Sequence, residues 1–303
     1  MPIAVTPLPP EHAANALAVV EADEAVRGAS VIDEAELERL RRYARSGERT
    51  AAWTPLVARS DAEDVGYAGL LLGDDGVASG DAAATLDAQD PAAVLEALLR
   101  SLSDAARDGG ASHLQVWVRQ VGEVEHAAAE RAGFAVDRRL GVLGRALPGD
   151  LEVVPPAAGW TIRPSQVPSD DEGVVEVLAS AYADTDDAGW TVAQLRQRQA
   201  YDWYRAEDLL VAEGPAGRIG GLHWLKRRTP RQGEVYNLAI APHAQGAGLG
   251  AALLSAGLLH LREVGCTEVV LWVDRANERA VRLYERNGFT TRWYDVAFGI
   301  DLK

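Results

Sequence analysis

Sulfur and phenylalanine are scarce in this chain. Its 303 residues include one cysteine, Cys266, one methionine and three phenylalanines. A single cysteine excludes a disulfide within the chain and any thiolate cluster able to hold zinc. Cys266 precedes the strand-like run TEVVLWV and reads as a buried, inert thiol. The six histidines (His12, His113, His126, His223, His243 and His260) are scattered, with neither HExxH nor another metal-ligand spacing, so no metal is expected. No uncharged apolar run approaches 18 residues, so no membrane span is expected. The start, MPIAVTPLPPEHAANAL, lacks the basic head and apolar core of a signal peptide, and a cytoplasmic location is expected. Positive charge is also short: 30 Lys and Arg stand against 45 Asp and Glu, a net charge of −15. Such a surface repels phosphate backbones and argues against nucleic acid. It is compatible with a substrate that arrives as a cation, and it keeps any protein soluble.

What is abundant is core-forming residue: 48% of the chain is hydrophobic, enough for packed interiors. At roughly 100–200 residues per domain, two domains are expected. A repeat supports this. Residues 114–134, LQVWVRQVGEVEHAAAERAGF, match residues 269–289, VVLWVDRANERAVRLYERNGF. Trp117 and Trp272, Gly133 and Gly288, and Phe134 and Phe289 each stand 155 residues apart, without a gap. The boundary is expected within residues 145–160, RALPGDLEVVPPAAGW, a linker-like composition. Residues 1–150 form one copy and 151–303 the other.

The copies differ in one stretch. Residues 243–250, HAQGAGLG, carry glycines at alternate positions and run straight into the apolar AALL. Unpaired N–H groups at a helix start, with the helix dipole, hold an anion, and glycine lets it come close. The spacing lacks the Lys-Ser or Lys-Thr of a nucleoside-triphosphate loop and the G-x-G-x-x-G of a dinucleotide turn. Carried back by 155, Gln245 falls on Asp90, Gly246 on Pro91, Gly248 on Ala93, Gly250 on Leu95 and Tyr284 on Ala129. One working site is therefore expected, in the second copy.

Gln245, Gly248 and Gly250, after a strand and opening a helix, resemble the acyl-CoA pyrophosphate loop of the GCN5-related N-acetyltransferase (GNAT) superfamily, and ANERAVRLYERNGF resembles its last helix. More narrowly, GGLHWLK, GEVYNLAIAPHAQGAGLG and VDRANERAVRLYERNGFTTRWYDVAF resemble the mycothiol synthase family over roughly residues 158–300. The resemblance implies an α/β chain of two tandem GNAT domains, each a mixed, mostly antiparallel sheet flanked by helices. The first is degenerate and closes the substrate cleft; the second binds acetyl-CoA, and no metal. It implies acetyl transfer to the cysteinyl amine of a Cys-glucosamine-inositol pseudo-disaccharide, in a monomer.

By that resemblance Glu234 is the general base and Tyr284 the acid that protonates the departing CoA thiolate. Leu238, Ala239 and Ile240 supply backbone N–H groups to the thioester carbonyl. Gln245, Gly246, Ala247, Gly248, Leu249, Gly250 and Ala251, with Asn277 and Arg282, hold the cofactor. Glu34, Asp186, Lys226, Glu234 and Trp272 contact the substrate. Each has a plainer reading: Lys226 adjoins Arg227 and Arg228, Asp186 lies in an acidic DTDD run, and Glu34 sits among acids at a helix start. Two departures stand out. Trp272 takes a position where the family commonly has tyrosine, and no arginine follows Gln245. Other acceptors, an amino sugar or a protein N-terminus, keep the same chemistry, and a CoA-binding module without turnover is a different class.

Overall fold

The computed structural model describes residues 3–61, 63–148, 151–183 and 189–302. The chain divides into two compact units, one running to Gly141 and resuming at Trp293, the other Val142–Arg292. The first repeat comprises β1 (Ala4–Pro7), α1 (Ala13–Arg27), α2 (Glu34–Ser46), β2 (Trp53–Ser60), β3 (Glu63–Leu72), β4 (Val77–Ala84), α3 (Pro91–Asp108), β5 (His113–Val118), α4 (Glu123–Arg131) and β6 (Ala135–Ala146). The second comprises β7 (Thr161–Pro164), α5 (Asp171–Ala181), α6 (Val192–Gln199), β8 (Leu209–Glu213), β9 (Ile219–Arg227), β10 (Gln232–Ile240), α7 (Leu249–Glu263), β11 (Glu268–Asp274), α8 (Glu278–Arg286) and β12 (Thr290–Asp301). The ten elements recur in the same order, and the 155-residue offset, visible in sequence over one stretch, holds to within a few residues at the element bounds. The pairs α4/α8 and β6/β12 match residue for residue.

Within the first unit the strand order is β1-β2-β3-β4-β5-β12, and within the second β7-β8-β9-β10-β11. One pair in each is parallel, β4 with β5 and β10 with β11. A parallel pair needs a long crossover, and the helices α3 and α7 supply it. The terminal strands divide between units. Val296, Phe298 and Leu302 are buried in the first unit's core with Leu114 and Val116, while Leu143 and Leu147 are buried in the second's. A single cut near residue 150 follows from linker composition. Composition marks where regular structure stops, but not which sheet the last strand joins.

Both faces of the second unit's sheet are covered. Leu254, Leu258 and Leu261 of α7, at helical spacing, pack with Val269, Leu271 and Phe289. At about 2 kcal/mol per buried leucine this face holds the helix down. On the other face Val174, Val177 and Leu178 of α5 and Leu195 of α6 surround Trp224. Asn277 caps α8 by accepting from the Ala280 N–H at 3.1 Å, and Gly288, at φ +77°, lies just past its end. Cys266 is buried, and burial pushes its thiol upward from the ordinary value, as its sequence setting implies. No helix among the described residues is long and apolar enough to cross a membrane.

Candidate active site

The site starts where two strands part. The parallel register of β10 with β11 ends at Val235 opposite Leu271, whereas β10 stays paired with β9 as far as Ile240. A bulge sits at the same point: Val235 lies opposite Leu225 and Asn237 opposite Trp224, leaving Tyr236 as the extra residue. A bulge bends its strand and re-aims the side chains around it. Leu238, Ala239 and Ile240 therefore run along an edge that β11 does not pair, where backbone N–H groups can meet a carbonyl.

β10 leads into the glycine turn. After one 3-10 turn, Pro242–Ala244, Gly246 (φ +85°) and Gly248 (φ +69°) take left-handed backbone before α7 begins at Leu249. A Cβ on either would meet nothing within 4 Å, so the demand for glycine is conformational. Gly250 is helical, and a Cβ there would make only an ordinary contact, 3.8 Å from Leu283. The helix start has no side-chain cap, so its first N–H groups, Leu249, Gly250 and Ala251 among them, face outward beside Ala247. Gln245 Oε1 accepts from Arg279 Nη1 at 3.1 Å. That guanidinium, from α8, stands at a turn with no arginine of its own. Asn277 is engaged as the α8 cap, and Arg282 pairs with Glu278 at 2.7 Å on the exposed side of the helix.

On the sheet face under α5 and α6, Trp224 and Lys226 alternate along β9, with Arg228 two residues further on. Glu234 lies directly opposite Lys226 and is buried. Arg228 Nη1 donates to Glu234 Oε2 at 2.9 Å, and the same guanidinium sits 5.2 Å from the Trp272 ring centroid. Lys226 is walled by aromatics: its ammonium lies 4.7 Å from the Trp203 centroid and 5.7 Å from that of Tyr236. Arg198 donates to the Tyr236 hydroxyl at 3.2 Å and covers Trp190 at 4.5 Å. A row of cations held on rings therefore flanks the carboxylate, each contact worth about 0.5–2 kcal/mol.

Tyr284 is buried on α8, edge-on to Phe289 at 5.6 Å. Burial pushes its phenol well above the ordinary tyrosine range, and the neighbouring Tyr182 phenol adds to the push. Tyr284 therefore stays a donor throughout the neutral range. Tyr182, just after α5, accepts from the Asn237 side-chain amide at 3.3 Å.

Glu234, Lys226, Trp272, Tyr284 and the turn residues thus all belong to the second unit. Glu34, the first residue of α2, belongs to the first. Asp186 lies outside the described residues. Sequence reasoning missed Arg228, Arg279, Tyr182, Tyr236 and Asn237. The period-two pattern in HWLKRR, which sets Trp224, Lys226 and Arg228 on one face, is the signal that could have found Arg228. Among the described residues no three His, Cys, Asp or Glu cluster in a way that could hold a metal.

The Acetyltransferase (GNAT) family profile matches residues 175–289. The mycothiol acetyltransferase of Stackebrandtia nassauensis is 40% identical over 291 residues, 92% of each chain. That of Actinosynnema mirum is 36% identical over 298 residues, 97% of each chain. Among solved structures, a GCN5-related N-acetyltransferase from Sphaerobacter thermophilus aligns at TM-score 0.73 and 20% identity over 99% of this chain and 96% of that one. A tandem GNAT protein from the clavulanic acid biosynthesis pathway aligns at 0.72 and 16% over 100% and 99%. At those identities the structures speak for the fold: two tandem GNAT domains. The chain belongs to the mycothiol acetyltransferase family.

Proposed function

We propose, for this member of the mycothiol acetyltransferase family, that the second unit transfers acetyl from acetyl-CoA to the cysteinyl amine of the Cys-glucosamine-inositol pseudo-disaccharide, giving mycothiol. The observation that carries the reading is the buried Glu234 on the strand that bulges and then opens into an uncapped, glycine-entered helix. That strand unites a proton acceptor, free backbone donors and an anion site. The glycine turn fits a pyrophosphate: its Cβ directions are open, and Arg279 adds charge beside Gln245.

The chemistry follows from the residues. The amine arrives as an ammonium and must lose a proton before it can attack; Glu234 takes it, directly or through a water. The neutral nitrogen attacks the thioester carbon. Backbone N–H groups at Leu238–Ile240 hold the developing oxyanion. The C–S bond breaks as the carbonyl re-forms, and the nitrogen, made positive by the attack, sheds its second proton to solvent to leave the amide. Tyr284 donates to the leaving thiolate. Its raised pKa makes it a dependable hydrogen-bond donor and a weak acid, so stabilising the thiolate comes before complete transfer. Lys226 and Trp272 line the acceptor side, and Glu34 and Asp186 are assigned there by family resemblance. Ala247, Asn277 and Arg282 border the cofactor. The first copy, residues 1–150, serves as scaffold and cleft wall, and residues 151–303 as the catalytic copy, in a cytoplasmic monomer.

The test is release of free CoA thiol from acetyl-CoA with the Cys-glucosamine-inositol amine, run beside an amino-sugar panel. Fast, selective turnover of the first supports the reading. Turnover of amino sugars alone keeps the acetyltransferase and removes mycothiol synthesis. Binding of acetyl-CoA with no turnover points to a binding module.

A further inference from the structure

The bulge aims one polar atom that the mechanism above leaves unused. Asn237 is the first residue after the bulge. One end of its amide is engaged by the Tyr182 hydroxyl at 3.3 Å. The other end, Oδ1, is buried and has no hydrogen-bond partner. Buried acceptors are nearly always satisfied, and an exception asks for a reason. Its surroundings supply one. Tyr182, which engages the amide, lies close enough to Tyr284 to raise that phenol, and three residues before Asn237 stands Glu234. A lone acceptor therefore belongs to an amide held by the Tyr182 hydroxyl and lies along the same strand as the carboxylate, where the strands part.

The register says which molecule it serves. Asn237 lies opposite Trp224, whose ring belongs to the core under α5 and α6. Leu238, the next residue, packs toward Leu249 and Leu253 of α7, the helix that starts at the glycine turn. Asn237 thus faces away from the turn, toward the row of Lys226 and Glu234. We propose that Asn237 positions the acceptor amine. Its Oδ1 takes one N–H of the nitrogen whose other proton goes to Glu234, and Tyr182 holds the amide in that orientation. With one N–H fixed on Oδ1, the lone pair freed when Glu234 takes its proton reaches the thioester carbon by rotation about that single hydrogen bond. The pantetheine amide N–H groups of acetyl-CoA are the competing donors. The proposal rests on the acetyltransferase reading.

Asn237→Leu, Asn237→Asp and the parent chain separate these cases. The parent must first turn over the Cys-glucosamine-inositol amine or another amine; if it turns over none, the acetyltransferase reading falls and this proposal falls with it. With a working parent, Asn237→Leu is expected to lower kcat/KM for the amine roughly 10- to 100-fold. The Kd for acetyl-CoA by calorimetry should stay within about twofold. Asn237→Asp, which keeps an acceptor oxygen, should recover part of the loss. Melting temperature should fall only slightly in Asn237→Leu, because Oδ1 has no partner to lose and the 3.3 Å bond from Nδ2 to the Tyr182 hydroxyl is the one bond removed. An equal loss of acetyl-CoA affinity would assign Oδ1 to the cofactor and overturn the proposal. So would unchanged kinetics, absence of any rescue by Asp, or a drop in melting temperature that accounts for the lost turnover.

Discussion

The two repeats share a backbone plan and differ in how they treat one helix start. In the second, α7 begins after two left-handed glycines and has no cap. In the first, α3 begins three residues earlier relative to the offset, with Pro91 at its first turn and the Asp90 carboxylate accepting from Ala93 N at 3.0 Å. Proline has no N–H to offer, and Asp90 fills with its own charge the place where an anion would bind. The strand before it differs too. The register of β3 with β4 is unbroken from Gly66 opposite Ala84 to Leu72 opposite Ala78, with no counterpart of the Tyr236 bulge. The positions 155 residues before Glu234, Asn237 and Tyr284 are Ser79, Ala82 and Ala129. Yet Leu98, Leu99 and Leu102 pack α3 into the core of its sheet, as Leu253, Leu254 and Leu258 pack α7. A fold is kept by apolar spacing, while a site depends on a few polar groups and the backbone faults that aim them.

The sharpest way to break this comparison is to remove the carboxylate. Glu234→Gln is expected to lower kcat by about 10²–10⁴, the contribution of a positioned base, with acetyl-CoA affinity unchanged. Ser79→Ala, at the equivalent exposed position, should change neither. Thiol release and calorimetry on the two variants decide it; a Gln variant within tenfold of the parent removes Glu234 from its role.

Tyr284→Phe comes next. The ring against Phe289 remains, so folding should hold while kcat falls about 10- to 100-fold through loss of the donor. Because burial raises this phenol, Tyr284 should produce no alkaline fall in rate below about pH 10, the ordinary tyrosine value. A parent profile that falls above pH 8, and whose fall vanishes in the Phe variant, would contradict that.

A smaller effect is expected at the helix starts. Alanine at Gly248 meets no clash but must hold φ +69°, at about 1–2 kcal/mol. If the turn relaxes to avoid this, acetyl-CoA affinity drops about tenfold. Asp90→Ala should cost about 1 kcal/mol of stability through the lost cap and leave acetyl-CoA affinity alone. One equivalent of acetyl-CoA is expected to bind at catalytic affinity. Loss of affinity in the Asp90 variant would show that the first copy holds a ligand after all.

Much of this is legible in the sequence. The strand and helix order of the second copy follows from its periods, and Asn277 and Gly288 mark the ends of α8. The Gln-Gly-Gly turn stands next to its helix in sequence, so its anion reading needed no tertiary information. The bulge and its consequences were not legible, since an extra residue in a strand has no composition of its own. Tyr182 meets Asn237 across 55 residues, and Arg228 meets Trp272 across two strands. Such contacts depend on which face each residue takes. The exchange of terminal strands leaves no trace in linker composition either.

The finest distinction between the units lies in acid. His223, wholly buried on β9, donates from Nδ1 to the Leu253 carbonyl at 2.7 Å and sits where Gly257 leaves room for its ring. Burial is the largest influence and lowers its pKa to about 4. The unfolded imidazole binds its proton near pH 6.5, so between those values the unfolded chain carries more protons. His223 therefore favours folding fully above pH 6.5 and loses that support as pH falls toward 4, about 3 kcal/mol in all. Asp81 of the first unit has the opposite sign. Arg119 is shared among Asp81 at 3.3 Å, Asp295 at 3.6 Å and Asp33 at 4.0 Å, and one guanidinium does not neutralise three carboxylates. Burial, beyond what Arg119 offsets, raises Asp81 to about 7. Its protonated form is favoured on folding, so its contribution is complete below about pH 4 and is lost as pH rises to 7. The two slopes nearly cancel in the parent, whose melting temperature should vary little between pH 4.5 and 6.5. Asp81→Asn should expose the histidine slope, melting higher as pH rises, and His223→Gln the aspartate slope, melting lower. Melting curves of the two variants at three pH values would show slopes of opposite sign, and slopes of the same sign would mean that one of the two buried groups keeps its ordinary proton affinity.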